Sequence, residues 1–232
     1  DHGCDVVVIG EGELTVDELC SAWKDPAGRS MEDIRGICFR KPDGSMCRTA
    51  PRPRITDLDS LPLPDIRLYD LEAFRMPDGT IKAGNKIFMS RGCPFQCTFC
   101  DKAVFGDKHV TMSAERVVEQ IERQQKDFGY HEFGLDDDNF MVNKKNARRI
   151  CELILERGLK VRWLVASHIN TADRDLLQLM QRAGCFQVIY GVESGDNDTL
   201  KRIRKGYTRE DVIETVSMTH ALGLRMYINL MT

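Results

Sequence analysis

Three cysteines at C-x3-C-x2-C spacing, Cys93, Cys97 and Cys100, sit in the stretch Arg91-Gly92-Cys93-Pro94-Phe95-Gln96-Cys97-Thr98-Phe99-Cys100. Thiolates packed this closely can converge on one metal centre. Closed zinc sites and ordinary iron–sulfur clusters take four protein ligands. Three thiolates on a four-iron cluster would leave one iron open to bind and activate a small molecule. A strand-like run, Lys86-Ile87-Phe88-Met89-Ser90, delivers the loop, and an aromatic residue, Phe99, precedes the last thiol. A structural zinc knuckle with His109 as fourth ligand is the competing reading.

From Asn85 onward, strand and helix patterns alternate. Strands centre on Phe88, Phe133, Leu164, Ile189 and Tyr227. Between them apolar residues recur at helical spacing: Val117, Val118, Ile121, Gln125 and Phe128 (imperfect at Gln125), then Ile150, Cys151, Ile154 and Leu155, then Leu176, Leu177 and Met180, then Val212, Ile213 and Val216. Ser113, Asn143 and Thr208 suit helix starts, and Gly129, Gly158, Gly184 and Gly223 suit helix ends. Such alternation implies a parallel sheet with right-handed crossovers. The fold class is therefore α/β, a partial (β/α) barrel of five parallel strands over 85–232. Before it, Asp5 to Ile9 reads as a strand, Gly10-Glu11-Gly12-Glu13 as a turn and Val16 to Lys24 as a helix capped by Thr15. Residues 1–24 thus read as the last β–α unit of an open α/β domain. Residues 25–84 read as a hairpin, Gly36 to Arg40 with Met46 to Ala50, followed by a proline-rich linker. The first strand has nothing before it and the last stops without a turn, so the chain is expected to be a fragment, its barrel truncated.

In barrels of parallel strands, chemistry gathers at the C-terminal strand ends. The first strand delivers the cysteines, and the second ends in Asp136-Asp137-Asp138-Asn139-Phe140. The third ends in Ser167-His168-Ile169-Asn170 and the fourth in Gly191-Val192-Glu193-Ser194-Gly195. Consecutive aspartates after an apolar strand are costly if buried without partners. They read either as an exposed loop with a helix cap or as acceptors for a cationic or hydroxylated ligand. Glu193, between two glycines, stands where backbone can approach a ligand closely; a surface turn is the alternative.

At these residues the chain resembles the radical S-adenosylmethionine (SAM) enzymes, in particular the subgroup with an upstream cobalamin-binding domain. The cysteine motif is the most specific part of the resemblance, which runs from about Asp5 to the last residue. It implies a 4Fe–4S cluster on Cys93, Cys97 and Cys100, with SAM on the open iron, cleaved to methionine and a 5′-deoxyadenosyl radical that abstracts hydrogen from a small-molecule substrate. It implies a SAM pocket formed by Phe99, Asp136, Asp137, Ser167, His168, Gly191, Glu193 and Ser194, in which Gly-Val-Glu-Ser-Gly resembles the family's glutamate-bearing motif. Where look-alike members carry arginine five residues after Trp163, this chain has His168, a smaller and titratable donor. Gly-Glu-Gly-Glu at 10–13 resembles the end of a cobalamin-binding domain, so cobalamin is a possible further cofactor, bound mostly outside this stretch. Methyl transfer to an unactivated carbon is the leading outcome, with radical cyclisation or rearrangement second. The resemblance also implies a reductase, flavodoxin or ferredoxin as electron donor. Outside the radical chemistry, the rivals are a zinc-stabilised binding module and a barrel that keeps a cluster only for electron transfer or structure.

Composition narrows the setting. Hydrophobic residues make up 42% of 232 residues, enough for a sizeable core, and the formal net charge of −3 gives no case for nucleic acid. No apolar run approaches the ~20 residues of a membrane span. Nine cysteines without an export signal fit a reducing, cytoplasmic setting. Cys151 and Cys185 read as small core residues, and Cys4, Cys20, Cys38 and Cys47 have no ligand spacing.

Overall fold

The computed structural model describes residues 3–25, 28–74 and 85–231. The chain divides into two compact units, Asp1–Thr56 with Asp101–Gly106, and Asp57–Cys100 with Asp107–Thr232.

In the first unit β1 (Val6–Val8), β2 (Ile37–Arg40) and β3 (Met46–Arg48) form an antiparallel sheet in the order β1-β2-β3. The β2–β3 turn closes through Lys41 N donating to Ser45 O, with Gly44 at φ +87°. Helix α1 (Glu13–Lys24) buries Leu19 and Ala22 against Ile34 and Ile37. The helix starts earlier than its sequence pattern: Gly12 occupies the cap position without a side-chain bond, and Thr15 is buried inside the first turn. The Thr15 hydroxyl is engaged elsewhere, donating to Arg35 O at 3.3 Å and accepting from Arg52 Nε at 2.8 Å. The opening β–α pair shares its sheet with the hairpin, so the break between compact units falls at Thr56. Residues 75–84, the end of the expected linker, lie outside the described residues.

The second unit is built on a five-stranded sheet. It contains β4 (Lys86–Ile87), β7 (Glu132–Leu135), β8 (Arg162–Ser167), β9 (Cys185–Glu193) and β10 (Arg225–Leu230), in the order β10-β9-β8-β7-β4 and parallel throughout. This is the expected α/β arrangement, with strand order running along the sequence. Between β4 and β7 a small antiparallel ribbon, β5 (Ser90–Arg91) and β6 (Val110–Thr111), carries the cysteine loop away from the sheet. Helices α2 (Ala114–Phe128), α3 (Lys144–Glu156), α4 (Arg174–Arg182) and α6 (Arg209–Ala221) supply the crossovers. Their apolar stripes bury Val117, Ile121, Ile150, Leu176 and Leu177 against the strand residues Phe133, Val165 and Val188. Ser113, Asn143 and Thr208 accept from the first-turn amides, as their positions predict, and Asp173 does the same for α4. A further short helix, α5 (Asn197–Arg202), follows β9 and is capped by Asp196.

Candidate functional site

The site is built at the C-terminal ends of the parallel strands. Asp137, just past β7, sends Oδ1 back to the amides of Met89 (3.2 Å) and Ser90 (2.8 Å), fixing the point where the chain leaves the sheet for the cysteine loop. Within the loop Cys100 N donates to Cys97 O at 3.2 Å, and Thr98 N donates to Ile203 O at 3.1 Å. The loop puts Cys93, Cys97 and Cys100 on the wall of an open pocket of about 210 Å³. Its other walls include Phe95, Phe99, Asp138, Asn139, Ser167, His168, Gly191, Glu193, Lys205 and Asn229.

The β7 and β8 ends are locked together by Asn139. Its Oδ1 accepts from Ser167 Oγ (3.0 Å), His168 N (3.2 Å) and Thr171 Oγ1 (3.1 Å), and its Nδ2 is buried without a partner. His168 lies flat on Phe95, with ring centroids 3.8 Å apart and planes within 4°, and meets the edge of Tyr207 at 5.0 Å. Its Nδ1 accepts from Asn170 N at 3.3 Å, which assigns the proton of the neutral ring to Nε2. That Nε2 is buried with no partner in hydrogen-bonding geometry. Burial, and then the nearby Lys205 ammonium, hold the His168 pKa down to about 4, opposed by the Lys205 carbonyl. His168 is therefore a neutral ring at physiological pH and does not replace an arginine's charge.

At the end of β9, Glu193 adopts φ +67°, a conformation that an L-residue rarely takes. The bend coincides with a register shift against β10, and Met231 N donates to Glu193 O at 2.9 Å. The bend brings Glu193 Oε1 to 3.5 Å from Lys205 Nζ, both side chains largely buried. Gly191 makes room for this pair, because a Cβ there would lie 2.8 Å from Glu193 Oε1 and 3.4 Å from Lys205 Nζ. The Tyr207 hydroxyl shares its proton between Gly191 O (2.6 Å) and Val192 O (3.0 Å). Burial, then the charges of Glu193 and Cys97, push that phenol well above its usual pKa.

Of the residues expected to form the site, the pocket brings together Cys93, Cys97, Cys100, Phe99, Ser167, His168, Gly191 and Glu193. Three are placed elsewhere. Asp136 pairs with Lys86 Nζ at 2.8 Å, Asp137 points at the backbone before the loop, and Ser194 Oγ accepts from Asp196 N at 3.1 Å in the turn before α5. Burial pushes the Asp137 carboxyl up to about 6, against the pull of its hydrogen bonds from Ser90 and Met89. His109, the possible zinc ligand, instead contacts Ser90 Oγ at 3.1 Å. Sequence reading missed Lys205, Asn139, Phe95 and Asn229. Lys205 follows Lys201, Arg202 and Arg204 and so reads as part of a solvated basic run; its burial depends on the docking of residues 203–207, which has no local signature.

The donor set fits an iron–sulfur cluster. The three thiols come from one loop and line one cavity, the donor type that holds iron–sulfur irons. Comparison with known proteins agrees. The chain is 34% identical over 224 residues to the uncharacterized methyltransferase PH0819 of Pyrococcus horikoshii, covering 95% of this chain and 47% of that one. It is 30% identical over 229 residues to the anaerobic magnesium-protoporphyrin IX monomethyl ester cyclase of Synechocystis, covering 97% and 45%. The chain thus spans about half the length of the curated relatives it matches. Among solved structures, the cobalamin-dependent S-adenosylmethionine radical enzyme OxsB with aqua-cobalamin bound shares the fold at TM-score 0.81 and 24% identity, over 97% of this chain and 33% of that one. Residues 87–232, from the strand that delivers the cysteine loop to the last strand, match the Radical SAM superfamily, and the chain belongs to it.

Proposed function

We propose that residues 85–232 form the core of a radical SAM enzyme that carries out cobalamin-dependent methylation of a small molecule. One observation carries the reading: three thiols of one loop and Glu193 line a single pocket. In this reading Cys93, Cys97 and Cys100 hold three irons of a 4Fe–4S cluster. When bound, the cluster supplies the electron for reductive cleavage of the SAM carbon–sulfur bond. Glu193 accepts hydrogen bonds from SAM, Gly191 keeps backbone close to it, and Phe99, Ser167 and His168 give it an apolar and hydrogen-bonding wall. Asp136, Asp137 and Ser194 act behind this wall, holding the strand-end turns. Residues 1–24 close a cobalamin-binding-like domain, extended by the hairpin that shares their sheet, and the stretch after Thr56 leads to the core. Thiolate ligands require a reducing compartment, the cytoplasm, and the electron comes from a flavodoxin- or ferredoxin-type donor. Methylation is favoured by the likeness to the Pyrococcus methyltransferase. Radical cyclisation is the second reading, favoured by the likeness to the Synechocystis cyclase.

The test is anaerobic reconstitution. The protein should turn brown with about four irons per chain, the stoichiometry of the cluster, and release 5′-deoxyadenosine from SAM with dithionite. Alanine at Cys93, Cys97 or Cys100 should abolish the colour, while alanine at Cys151 or Cys185, both buried away from the pocket, should not. Stoichiometric zinc without iron would end the proposal. Transfer of a labelled methyl group from SAM to product separates methylation from cyclisation.

A further inference from the structure

Residues 203–207 form a clasp over the cysteine loop. Ile203 O takes the amide of Thr98, Asn170 Nδ2 donates to Gly206 O at 2.7 Å, and Tyr207 holds the carbonyls of Gly191 and Val192. Arg204 adopts φ +57°, so the clasp keeps a strained backbone in place. At its centre is Lys205, 5% exposed and on the wall of the same pocket as the three thiols. Its Nζ lies 5.6 Å from the ring centroid of Phe99, between Cys97 and Cys100, and 5.6 Å from that of Tyr207. Its carboxylate partner, Glu193, is 3.5 Å away, too long for a tight bidentate pair. A lysine is rarely buried so completely unless its charge has something to face.

Resting on the reading that the three cysteines hold a cluster, we propose that Lys205 sets the charge balance of that centre, its ammonium stabilising the added electron while Glu193 opposes it. The argument is electrostatic. Lys205 and Glu193 are themselves buried, and a buried unit charge within a few side-chain widths of a redox centre is screened less than one in solvent. Lys205 sits on the loop side of the pair, against the ring between two of the thiols. A one-electron reduction makes the centre more negative. A fixed cation beside it therefore raises the midpoint potential, and a fixed carboxylate lowers it.

The test is a redox titration of the reconstituted full-length protein, without SAM, at matched iron content. Lys205→Met should shift the midpoint to more negative potential and Lys205→Arg should leave it near wild type. Glu193→Gln should shift it the opposite way, and Lys205→Met/Glu193→Gln should fall between the single variants. Shifts of opposite sign would not follow from a merely structural role. If Lys205→Met fails to hold its cluster, Glu193→Gln carries the test, and a lowered or unchanged potential there overturns the proposal. An unchanged potential in Lys205→Met, with weakened SAM binding, overturns it too and makes Lys205 a ligand for the SAM carboxylate. A wild-type protein that takes up no cluster sinks the functional reading itself, a result distinct from any of these.

Discussion

Near its start β8 is closed around Trp163, although Arg162 before it is exposed. Trp163 N donates to Gly184 O, its indole Nε1 donates to Ala183 O at 2.8 Å, and its ring packs on Phe140 at 5.4 Å with no exposure. At its last residues the strand runs into Ser167 and His168, in a network just as dense but not closed. Asn139 Nδ2, His168 Nε2 and the neighbouring Asp137 Oδ2 are buried without partners. An unpaired buried polar atom costs about 1–3 kcal/mol. The two ends of the sheet therefore differ in degree: around Trp163 the polar atoms are matched, with Asn85 Oδ1 left open at the neighbouring strand start, while the other end leaves three such atoms open near the cavity. The open end also holds a non-glycine residue, Glu193, at positive φ. Positive-φ backbone at Glu193 and three unpaired buried atoms thus lie at the strand ends near the thiols.

The comparison is tested hardest at the closed end. Gly184 has φ +95°, and a Cβ there would lie 2.1 Å from Val161 O. The obstacle is backbone at the start of β8, which cannot turn aside as a side chain would. Gly184→Ala should cost about 3 kcal/mol or more, visible as a lower midpoint in chemical denaturation. A variant as stable as wild type would mean that the closed end is not the rigid one. At the open end the test strikes binding, and also costs stability, because the buried Lys205 ammonium loses its carboxylate. Glu193→Gln keeps the shape and loses the charge. With the cluster intact, its affinity for SAM should fall by roughly tenfold to a hundredfold, the loss of one charge-assisted bond of about 1.5–3 kcal/mol. An unchanged SAM titration would make Glu193 a turn residue.

The same contrast separates what was legible in the sequence from what was not. Four of the five parallel strands, three of the four main helix caps and the cysteine loop follow from period, cap residue and spacing, all of which act within a few residues; the first strand, expected to centre on Phe88, ends at Ile87, where the following amides turn to Asp137. Thr15 misled because a threonine at a helix start is read as a cap, while here its hydroxyl binds Arg35 and Arg52 across the unit. Helix α5 is too short, at six residues, to show a period. Asp137 and Lys205 share one difficulty: charge in a polar run looks solvated, and only the docking of distant segments decides which member of the run is buried. Among Asp136, Asp137 and Asp138 the middle one goes inward to the Met89 and Ser90 amides, while Asp138 stays exposed on the pocket rim.

That inward carboxyl gives the finest test of the open end. Burial raises its pKa to about 6, although the Ser90 hydroxyl and the Ser90 and Met89 amides favour the charged form; Oδ2 is buried without a partner in good geometry. In the unfolded chain it titrates near the ordinary aspartate value of about 4. Between these values the unfolded state releases the proton first, so the folded state binds more protons and its stability falls as pH rises. Below about pH 4 both states are protonated and the contribution is fully present; above about pH 6 it is gone. Asp137→Asn keeps an oxygen for the two amides and cannot ionise. Urea denaturation of the iron-free protein at pH 4, 5, 6 and 7 should then show wild type losing roughly 2 kcal/mol more than Asp137→Asn across the window, because titration of every other group is common to both. Parallel stability curves would mean that Asp137 ionises normally, its Oδ2 satisfied by water or by a rearranged loop. In that case the pocket end would be less strained than its geometry indicates, and the contrast with the closed end would rest on Glu193, Asn139 and His168.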